Sequence, residues 1–201
     1  MLEVKELIQE IEIYAENENV PIIEKESIQF INAIIKANNV KSVLEIGSAI
    51  GYSAILMALS KEDVKVTTIE KDEKRYFECL NNVKKTGLEK RIDVVFDDAL
   101  EINLSGFGYD FIFIDAAKGQ YQKYFEKFQY YLNEGGTIVT DNLNFHGLVG
   151  NKEKAQSKNV EKLVEKIELY IDFLKSNQDF VTKFYNIGDG LSVSVRKNKN
   201  E

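Results

Sequence analysis

Residues 42–60 of the chain read SVLEIGSAIGYSAILMALS. A short apolar run, SVLEI, leads into a turn that contains Gly47 and Gly51, and a segment with helical spacing, YSAILMALS, follows at once. A strand, a glycine turn and a helix in direct succession are typical of the first unit of a parallel sheet covered by helices.

The same alternation continues along the chain. Further apolar runs predict strands at VTTIE, IDVVF, DFIFID and GGTIVTD, which occupy residues 66–70, 92–96, 110–115 and 135–141. Helical spacing predicts helices over 74–87 and 121–136, and both segments end in glycine, as helices often do. The sequence therefore predicts a doubly wound α/β fold with a mostly parallel sheet.

Both ends of the chain add to this pattern. Two helix-like segments precede the first strand, up to about Ala37, and a charged, periodic stretch predicts another helix over 151–177. The runs VTKFYNIG and LSVSVRK, around Gly188-Asp189-Gly190, predict an antiparallel hairpin that closes the sheet. Residues 196–201 are predicted to be a frayed end.

Composition limits the class of protein. With 201 residues, 44% of them hydrophobic, we expect one domain over 1–201. No apolar run approaches the roughly 20 residues of a membrane span. The acidic N-terminal stretch is unlike a signal peptide, which begins with basic residues. We therefore expect a soluble, cytoplasmic protein. The net charge of -7 argues against nonspecific binding to nucleic acid, DNA included, and to anionic membranes, and an RNA partner would need a local basic patch. The single cysteine, Cys79, is predicted to pack in the core.

The glycine turn has the features of an adenosine site. Gly47 and Gly51 let the backbone approach a ligand closely, and Glu70 ends the next strand, a usual position for an acid that binds a ribose diol. The spacing G-x-x-x-G differs from the G-x-G-x-x-G of dinucleotide enzymes, and Glu45 suits a cationic ligand such as the sulfonium and ammonium groups of S-adenosylmethionine. A tight turn without any ligand would need the same glycines.

Asp98 and Ala99 follow the third predicted strand, in VVFDDALE. A carboxylate at this point can accept a hydrogen bond from an adenine amino group. It can equally cap a helix N-terminus, and Asp97 is a second candidate for that cap.

Two further acids end neighbouring strands. Asp115 ends DFIFID, and Asp141 ends TIVTD with Asn142 directly after it. Because ligands bind at the carboxyl ends of strands in such sheets, these three side chains should converge. Three oxygen ligands that leave positions open for water and substrate suit magnesium or manganese. Taken singly, each residue could instead belong to a turn or a helix cap.

Lys118 lies shortly after Asp115, in DAAKGQY. An amine there could accept a proton from a hydroxyl bound to the metal, although a lysine at a helix start is often only solvated. His146, the only histidine, is given no chemical role.

Several segments together carry a family resemblance: YAENENVPIIEK, LEIGSAIGYSAI, TIEKDEKR, FIDAAKGQYQ, TDNLNFHGLV and IGDGL. These motifs resemble the cation-dependent O-methyltransferase family, which includes catechol and caffeoyl-CoA methyltransferases, over nearly the whole chain. Within that family they look most like the members that methylate 5-hydroxyuridine in bacterial tRNA.

The resemblance implies a role for particular residues. Lys118 matches the catalytic lysine, acting with Asp115, and Ile23 stands where the family usually has methionine, an apolar replacement. The metal ligands implied are Asp115, Asp141 and Asn142. The cofactor contacts implied are Ile23, Ser53, Glu70, Asp98, Ala99 and Asp115.

The resemblance also implies an architecture and an acceptor. It implies a seven-stranded Rossmann-like sheet and a homodimer, with the helices of residues 1–37 contributing to the dimer and to the substrate site. The acceptor implied is the anticodon loop of tRNA, where methylation gives 5-methoxyuridine at the wobble position. Catechol and 5-hydroxyuracil both offer vicinal oxygens that one metal ion can bind while Lys118 removes the proton.

Two other functions compete with this one. The first is a small-molecule methyltransferase of the catechol or caffeoyl type with the same site, and the second is a cofactor-binding module without catalysis. A basic surface would favour the tRNA enzyme. Its candidate residues are Lys84, Lys85, Lys90, Lys152, Lys154 and Lys158, which solvated helix faces would explain equally well.

Overall fold

A computed structural model describes residues 2–104 and 108–197, so most of the predicted frayed end lies outside the described residues. Seven strands form one mixed sheet in the order β3-β2-β1-β4-β5-β7-β6. The predicted doubly wound α/β fold with an antiparallel C-terminal hairpin is confirmed. The chain divides into two compact units, Met1–Ser105 and Gly106–Glu201.

The first unit contains the predicted N-terminal helices and three strands. Its helices are α1 (Leu2–Asn17), α2 (Lys25–Ala37), α3 (Tyr52–Ser60) and α4 (Glu73–Lys85), and its strands are β1 (Ser42–Ile46), β2 (Lys65–Glu70) and β3 (Ile92–Phe96). The strands are all parallel, and their register pairs Ile46 with Ile69 and Glu70 with Phe96. The glycine turn and Glu70 therefore lie at neighbouring strand ends.

The second unit contains four strands and two helices. The strands are β4 (Tyr109–Ile114), β5 (Leu132–Thr140), β6 (Phe180–Tyr185) and β7 (Leu191–Arg196), and the helices are α5 (Tyr121–Phe128) and α6 (Lys158–Ser176). Short 3₁₀ turns cover Lys118–Gln120, Gln129–Tyr131 and Lys152–Lys154. Strands β4 and β5 are parallel, whereas β7 runs antiparallel to both β5 and β6.

Two predicted helices have different bounds from those expected. The helix predicted over 121–136 ends at Phe128, and both Gly135 and Gly136 belong to β5. These glycines fall where the pairing of β4 with β5 shifts register, and a Cβ on Gly136 would lie 2.7 Å from Leu132 Cγ. The helix predicted over 151–177 begins only at Lys158, where Ser157 accepts a capping hydrogen bond from Val160.

Each unit buries its own core. In the first unit, Val43, Leu44 and Ile46 of β1 are fully buried, and so is Cys79, which confirms its predicted packing role. In the second unit the core is aromatic, with the Phe125 ring centroid 5.0 Å from that of Phe180. Among the described helices, none is long and apolar enough to cross a bilayer.

Candidate functional site

The turn between β1 and α3 is fixed to the neighbouring strand by its own backbone. The N–H groups of Gly47 and Ser48 both donate to the Ile69 carbonyl, at 3.0 and 3.2 Å. Gly47 and Gly51 have φ angles of 95° and 84°, in the left-handed region that favours glycine. The two predicted glycines are therefore required by the shape of the turn.

Gly51 is also required by helix packing. A Cβ at this position would lie 2.7 Å from Cys79 Sγ on α4. Asn82, one turn further along α4, donates to the Ile50 carbonyl at 3.0 Å. Burial raises the pKa of the Cys79 thiol to about 12, and the charges of Glu45 and Glu70 act in the same direction. The thiol therefore stays neutral and serves packing, and the cofactor role of Gly51 stays a prediction.

Glu70 joins the two loops that border the predicted adenosine site. Its Oε2 accepts a hydrogen bond from the Ala49 N–H in the glycine turn, at 2.9 Å. Its Oε1 accepts from the N–H groups of Lys71 and Asp72, both at 2.9 Å. Three backbone donors thus hold a carboxylate that is only 8% exposed. These hydrogen bonds fix the orientation of the Glu70 carboxylate.

The Glu45 side chain is buried, whereas the predicted contact with the cofactor needs an accessible carboxylate. The burial is complete, and Glu45 Oε2 accepts a hydrogen bond from Thr68 Oγ1 at 2.5 Å. Its effect on a bound cation would therefore act through its charge. The predicted contact with the cofactor stays a prediction.

Asp98 stabilises a turn, and no helix follows it in residues 98–104, so the predicted helix cap is wrong. Asp98 Oδ1 accepts from the Leu100 N–H at 2.9 Å, and Asp98 Oδ2 pairs with Lys71 Nζ at 3.3 Å. Asp97 Oδ1 accepts from the Asp98 N–H at 2.7 Å, so the two acids stabilise the same turn. The remaining cofactor candidates of this unit, Ile23, Ser53 and Ala99, are all buried.

In the second unit, the two predicted metal-binding acids lie at adjacent strand ends. The register pairs Ile114 with Thr140, so Asp115 and Asp141 follow paired residues of β4 and β5. The Asp141 N–H donates to the Ile114 carbonyl at 3.2 Å. The Asn142 N–H donates to Asp141 Oδ1 at 2.7 Å. The structure thus places these three predicted residues together at one edge of the unit's sheet.

The two carboxylates lie where negative charge is unfavourable. Burial raises the pKa of Asp141 to about 7, with the charge of Asp115 adding to the effect, while the Asn142 N–H and Lys118 oppose it. Burial also raises the pKa of Asp115, against the opposing charge of Lys118. A cation near the two carboxylates would stabilise their ionised forms.

Lys118 provides an amine at the same edge. Its Nζ donates to Asn142 Oδ1 at 2.5 Å and lies 5.8 Å from the centre of the Phe145 ring. The predicted base and one predicted metal ligand are therefore in direct contact. Sequence reasoning missed Phe145, although an aromatic residue soon after the Asp141-Asn142 pair was a signal for a site wall.

No group of three or more His, Cys, Asp or Glu side chains in residues 2–104 and 108–197 could hold a metal ion. The predicted triad contains only two carboxylates, because its third ligand is the Asn142 amide. The predicted metal therefore stays a prediction.

Asp189, in the hairpin turn between β6 and β7, is a second residue that sequence reasoning missed. It is only 6% exposed, and its Oδ1 accepts a hydrogen bond from the His146 N–H at 2.6 Å. The His146 side chain is 76% exposed, with Nδ1 3.6 Å from Asp189 Oδ2. His146 therefore contributes its backbone to the loop after β5, and the sequence GDG was the available signal for a loop support.

Comparison with known proteins places these features in a family. A family model described as O-methyltransferase matches residues 3–197. The caffeoyl-CoA O-methyltransferase of Populus kitakamiensis is 30% identical over 176 residues, which cover 84% of this chain and 75% of the relative.

Solved structures agree with that match. A candidate caffeoyl-CoA O-methyltransferase from Staphylococcus aureus is 37% identical and aligns over 94% of this chain and 92% of its own, with a TM-score of 0.91. An O-methyltransferase from Bacillus cereus, solved in complex with SAH, shares the fold at 23% identity and a TM-score of 0.83, over 96% of this chain and 91% of its own.

Proposed function

The chain belongs to the O-methyltransferase family, and on that premise we propose that it transfers the methyl group of S-adenosylmethionine to a ring hydroxyl with the help of a divalent metal ion. The acceptor that we propose is 5-hydroxyuridine at the wobble position of a tRNA anticodon. One observation carries the proposal: Lys118 Nζ lies 2.5 Å from Asn142 Oδ1 at the edge where β4 and β5 lead into Asp115 and Asp141.

The cofactor assignment rests on the first unit. The turn around Gly47 and Gly51 and the hydrogen-bonded Glu70 carboxylate have the form of an adenosine site. The Bacillus cereus relative, which shares the fold, was solved with SAH. S-adenosylmethionine is therefore the cofactor that we propose.

The metal assignment rests on the second unit. Asp115, Asp141 and Asn142 offer only oxygen ligands, which favours magnesium or manganese over zinc. When bound, such an ion would hold two vicinal acceptor oxygens and lower the pKa of the hydroxyl. Burial raises the pKa of Asp141 and the charge of Asp115 adds to the effect, so a cation at this edge would stabilise the ionised carboxylate.

The chain's own residues then perform the proton transfer. Lys118 accepts the proton of the acceptor hydroxyl, and Asn142 Oδ1 orients the Lys118 amine for that step. The acceptor oxygen forms a bond to the methyl carbon as the carbon–sulfur bond breaks, so the electron pair stays on sulfur. The proton ends on Lys118 Nζ and passes to solvent.

A lysine row on α6 supports an RNA acceptor. Lys158, Lys162 and Lys166 are all exposed, and their i, i+4 spacing places them on one flank of the helix. Lys166 reaches the turn that carries Lys118, since a Cβ on Gly119 would lie 3.3 Å from Lys166 Cδ. In a chain with a net charge of -7, this row offers positive charge to a phosphate backbone, beside the exposed acids Glu161 and Glu165 of the neighbouring row.

A small catechol-type acceptor is the second candidate, and the name of the Populus relative favours it. Both acceptors offer vicinal oxygens, so the metal and the base would serve either. A free catechol would not need the lysine row, whereas the phosphates of RNA or of a CoA thioester could contact it.

Purified protein with S-adenosylmethionine and Mg²⁺ should convert 5-hydroxyuridine in tRNA to 5-methoxyuridine, measured by mass spectrometry of digested nucleosides. Lys118→Ala should lower the rate on the order of 100-fold or more, because proton transfer would lose its base. Methylation of a small catechol with no activity on tRNA would establish the second candidate instead. An unchanged rate in Lys118→Ala would contradict the proposed site.

We also propose that the protein is a homodimer to which the helices of residues 1–37 contribute. Sedimentation equilibrium of the intact chain would give twice the monomer mass if this is correct, and the monomer mass of 23.0 kDa if it is not.

A further inference from the structure

The geometry points to Asp189 as a positioning residue for methyl transfer, which holds the loop of residues 142–147 so that Asn142 stays in contact with Lys118. This inference rests on the proposed function, because that function makes Lys118 and Asn142 the reacting edge. Asp189 itself contacts neither residue in any hydrogen bond of the described chain. Its effect would be transmitted by the loop.

Three hydrogen bonds connect the hairpin turn to this loop. Asp189 Oδ1 accepts from the His146 N–H at 2.6 Å, and the Asp189 carbonyl accepts from the Asn144 N–H at 2.7 Å. The Gly190 carbonyl accepts from the Leu143 N–H at 2.9 Å. Two adjacent hairpin residues thus bind three backbone donors of one short loop.

The loop needs such a support because of its backbone. Asn142, Phe145 and His146 have φ angles of 59°, 45° and 57°, which residues other than glycine rarely adopt. Residues in such conformations persist only where their surroundings hold them. Without the Asp189 carboxylate, the His146 N–H would lose its partner, and we expect the loop to relax away from this conformation.

Close packing at Gly190 makes the support rigid. Gly190 has a φ of 86°, and a Cβ there would lie 2.9 Å from Asn144 N. The hairpin backbone therefore lies directly against the loop. Any side chain at residue 190 would push the loop away from its present place.

The two oxygens of Asp189 have different surroundings. Oδ1 accepts the His146 N–H, whereas the buried Oδ2 has no hydrogen-bond partner in the described part of the chain and lies 3.6 Å from His146 Nδ1. An asparagine could keep the bond of Oδ1 and place its amide nitrogen near the ring nitrogen. The positioning role therefore needs an oxygen at this place and does not need a negative charge.

Steady-state methylation by Asp189→Ala, Asp189→Asn and the wild type would test the inference. We expect Asp189→Ala to lower kcat/KM for the acceptor on the order of 100-fold, as small misplacements of catalytic groups do. Asp189→Asn should restore most of that loss. The dissociation constant of SAH should be the same in all three proteins, because its proposed contacts lie elsewhere.

A matched pair of glycine variants separates loop displacement from backbone strain. Gly190→Ala and Gly135→Ala both place alanine in a left-handed conformation, but nothing lies within 4 Å of a Cβ on Gly135. Gly190→Ala should lose acceptor turnover, and Gly135→Ala should keep it. Equal turnover in the two variants would overturn the inference, as would full turnover in Asp189→Ala.

Loss of SAH binding in Asp189→Ala would also overturn it, since the Asp189 carboxylate would then support more of the fold than the loop of residues 142–147. The Lys118→Ala variant separates a failure of the positioning role from a failure of the proposed function. If Lys118→Ala is inactive while Asp189→Ala is normal, only the positioning role fails. If Lys118→Ala is fully active, the proposed function fails as well.

Discussion

For single residues, the ends of β4 and β5 explain why Asp115, Asp141 and Lys118 lie at the same edge of the sheet. Asp115 and Asp141 end adjacent parallel strands, and the Lys118 amine contacts the amide of Asn142. Residue types and strand ends were enough to predict this group, because parallel strands of one sheet end at the same edge.

The sequence could not predict the loop that supports these residues. Phe145 and Asp189 join the site through left-handed backbone conformations and through hydrogen bonds over 43 residues of separation. No local pattern encodes contacts of that range. Likewise, residue type alone could not show that Glu45 is fully buried or that Asp98 stabilises its own turn.

The raised pKa of Asp141 predicts how stability depends on pH. Its pKa is 3.8 in the ordinary case and about 7 in the fold, so between these values the folded protein binds more protons than the unfolded chain. The contribution of Asp141 to stability is therefore greatest at low pH and is lost as the pH rises to about 7. We expect Asp141→Asn, which stays uncharged, to remove this part of the pH dependence of the free energy of unfolding.

Urea unfolding in the presence of EDTA, at several pH values, would measure this difference. Asp172→Asn is the matched control, because the Asp172 side chain is 75% exposed and the chemical change is the same. The free energy of unfolding of Asp172→Asn should depend on pH in the same way as that of the wild type. A parallel pH dependence in Asp141→Asn and the wild type would show that Asp141 titrates normally in the fold.

At the scale of elements, the β1–α3 turn is the part that the sequence predicted best. The strand, the two glycines and helix α3 lie where the pattern placed them. The helix predicted over 121–136 was too long because helical spacing in YQKYFEKFQYY runs into strand residues without a break. Glycines that accommodate a register shift in β5 resembled a helix end.

Packing between the glycine turn and α4 gives a stability prediction. Gly51→Ala should lower the free energy of unfolding by about 3 kcal/mol, since it combines a left-handed alanine with a contact to Cys79 Sγ. Gly87→Ala should cost only about 1 kcal/mol, because it has the same strain without a neighbour. Urea unfolding of both variants gives these values.

The double variant Gly51→Ala with Cys79→Ala provides the control. Removal of the sulfur should recover part of the loss, because the other Cys79 atoms lie at ordinary contact distances of 3.5 and 3.6 Å. If the loss of unfolding free energy in the double variant equals the sum of the losses in Gly51→Ala and Cys79→Ala, the close contact between residue 51 and Cys79 Sγ is contradicted.

The lysine row of α6 gives a prediction for RNA binding. Affinity for RNA falls as the salt concentration rises. Replacing Lys158, Lys162 and Lys166 by Gln should make the slope of log affinity against log salt less steep by roughly 2, as expected for three lost phosphate contacts on single-stranded RNA. Fluorescence anisotropy with a labelled anticodon stem-loop measures that slope.

A variant with the same change of charge elsewhere is the control. Lys84, Lys85 and Lys90, which the sequence offered as further candidates for a basic surface, are also exposed and lie in the first unit, at the end of α4 and beyond it. No observation connects them to the turn that carries Lys118. Their replacement by Gln should leave the salt dependence near that of the wild type. Equal effects of the two triple variants would show that the row has no specific role.

At the scale of the whole molecule, the fold and the family follow from patterns that extend over the entire chain. Alternating strands and helices predicted the doubly wound sheet, and the seven-stranded order β3-β2-β1-β4-β5-β7-β6 agrees with the architecture that the motifs implied. The acceptor is a different matter, because it depends on surface charge and loop shape, which vary within one fold.

The metal dependence of methyl transfer, compared between wild-type protein and Asp141→Ala, tests whether Asp141 holds a catalytic metal ion. We expect Mg²⁺ to restore turnover to EDTA-treated wild-type protein and to leave Asp141→Ala nearly inactive, with unchanged binding of SAH. Undiminished, Mg²⁺-dependent turnover in Asp141→Ala would contradict the account.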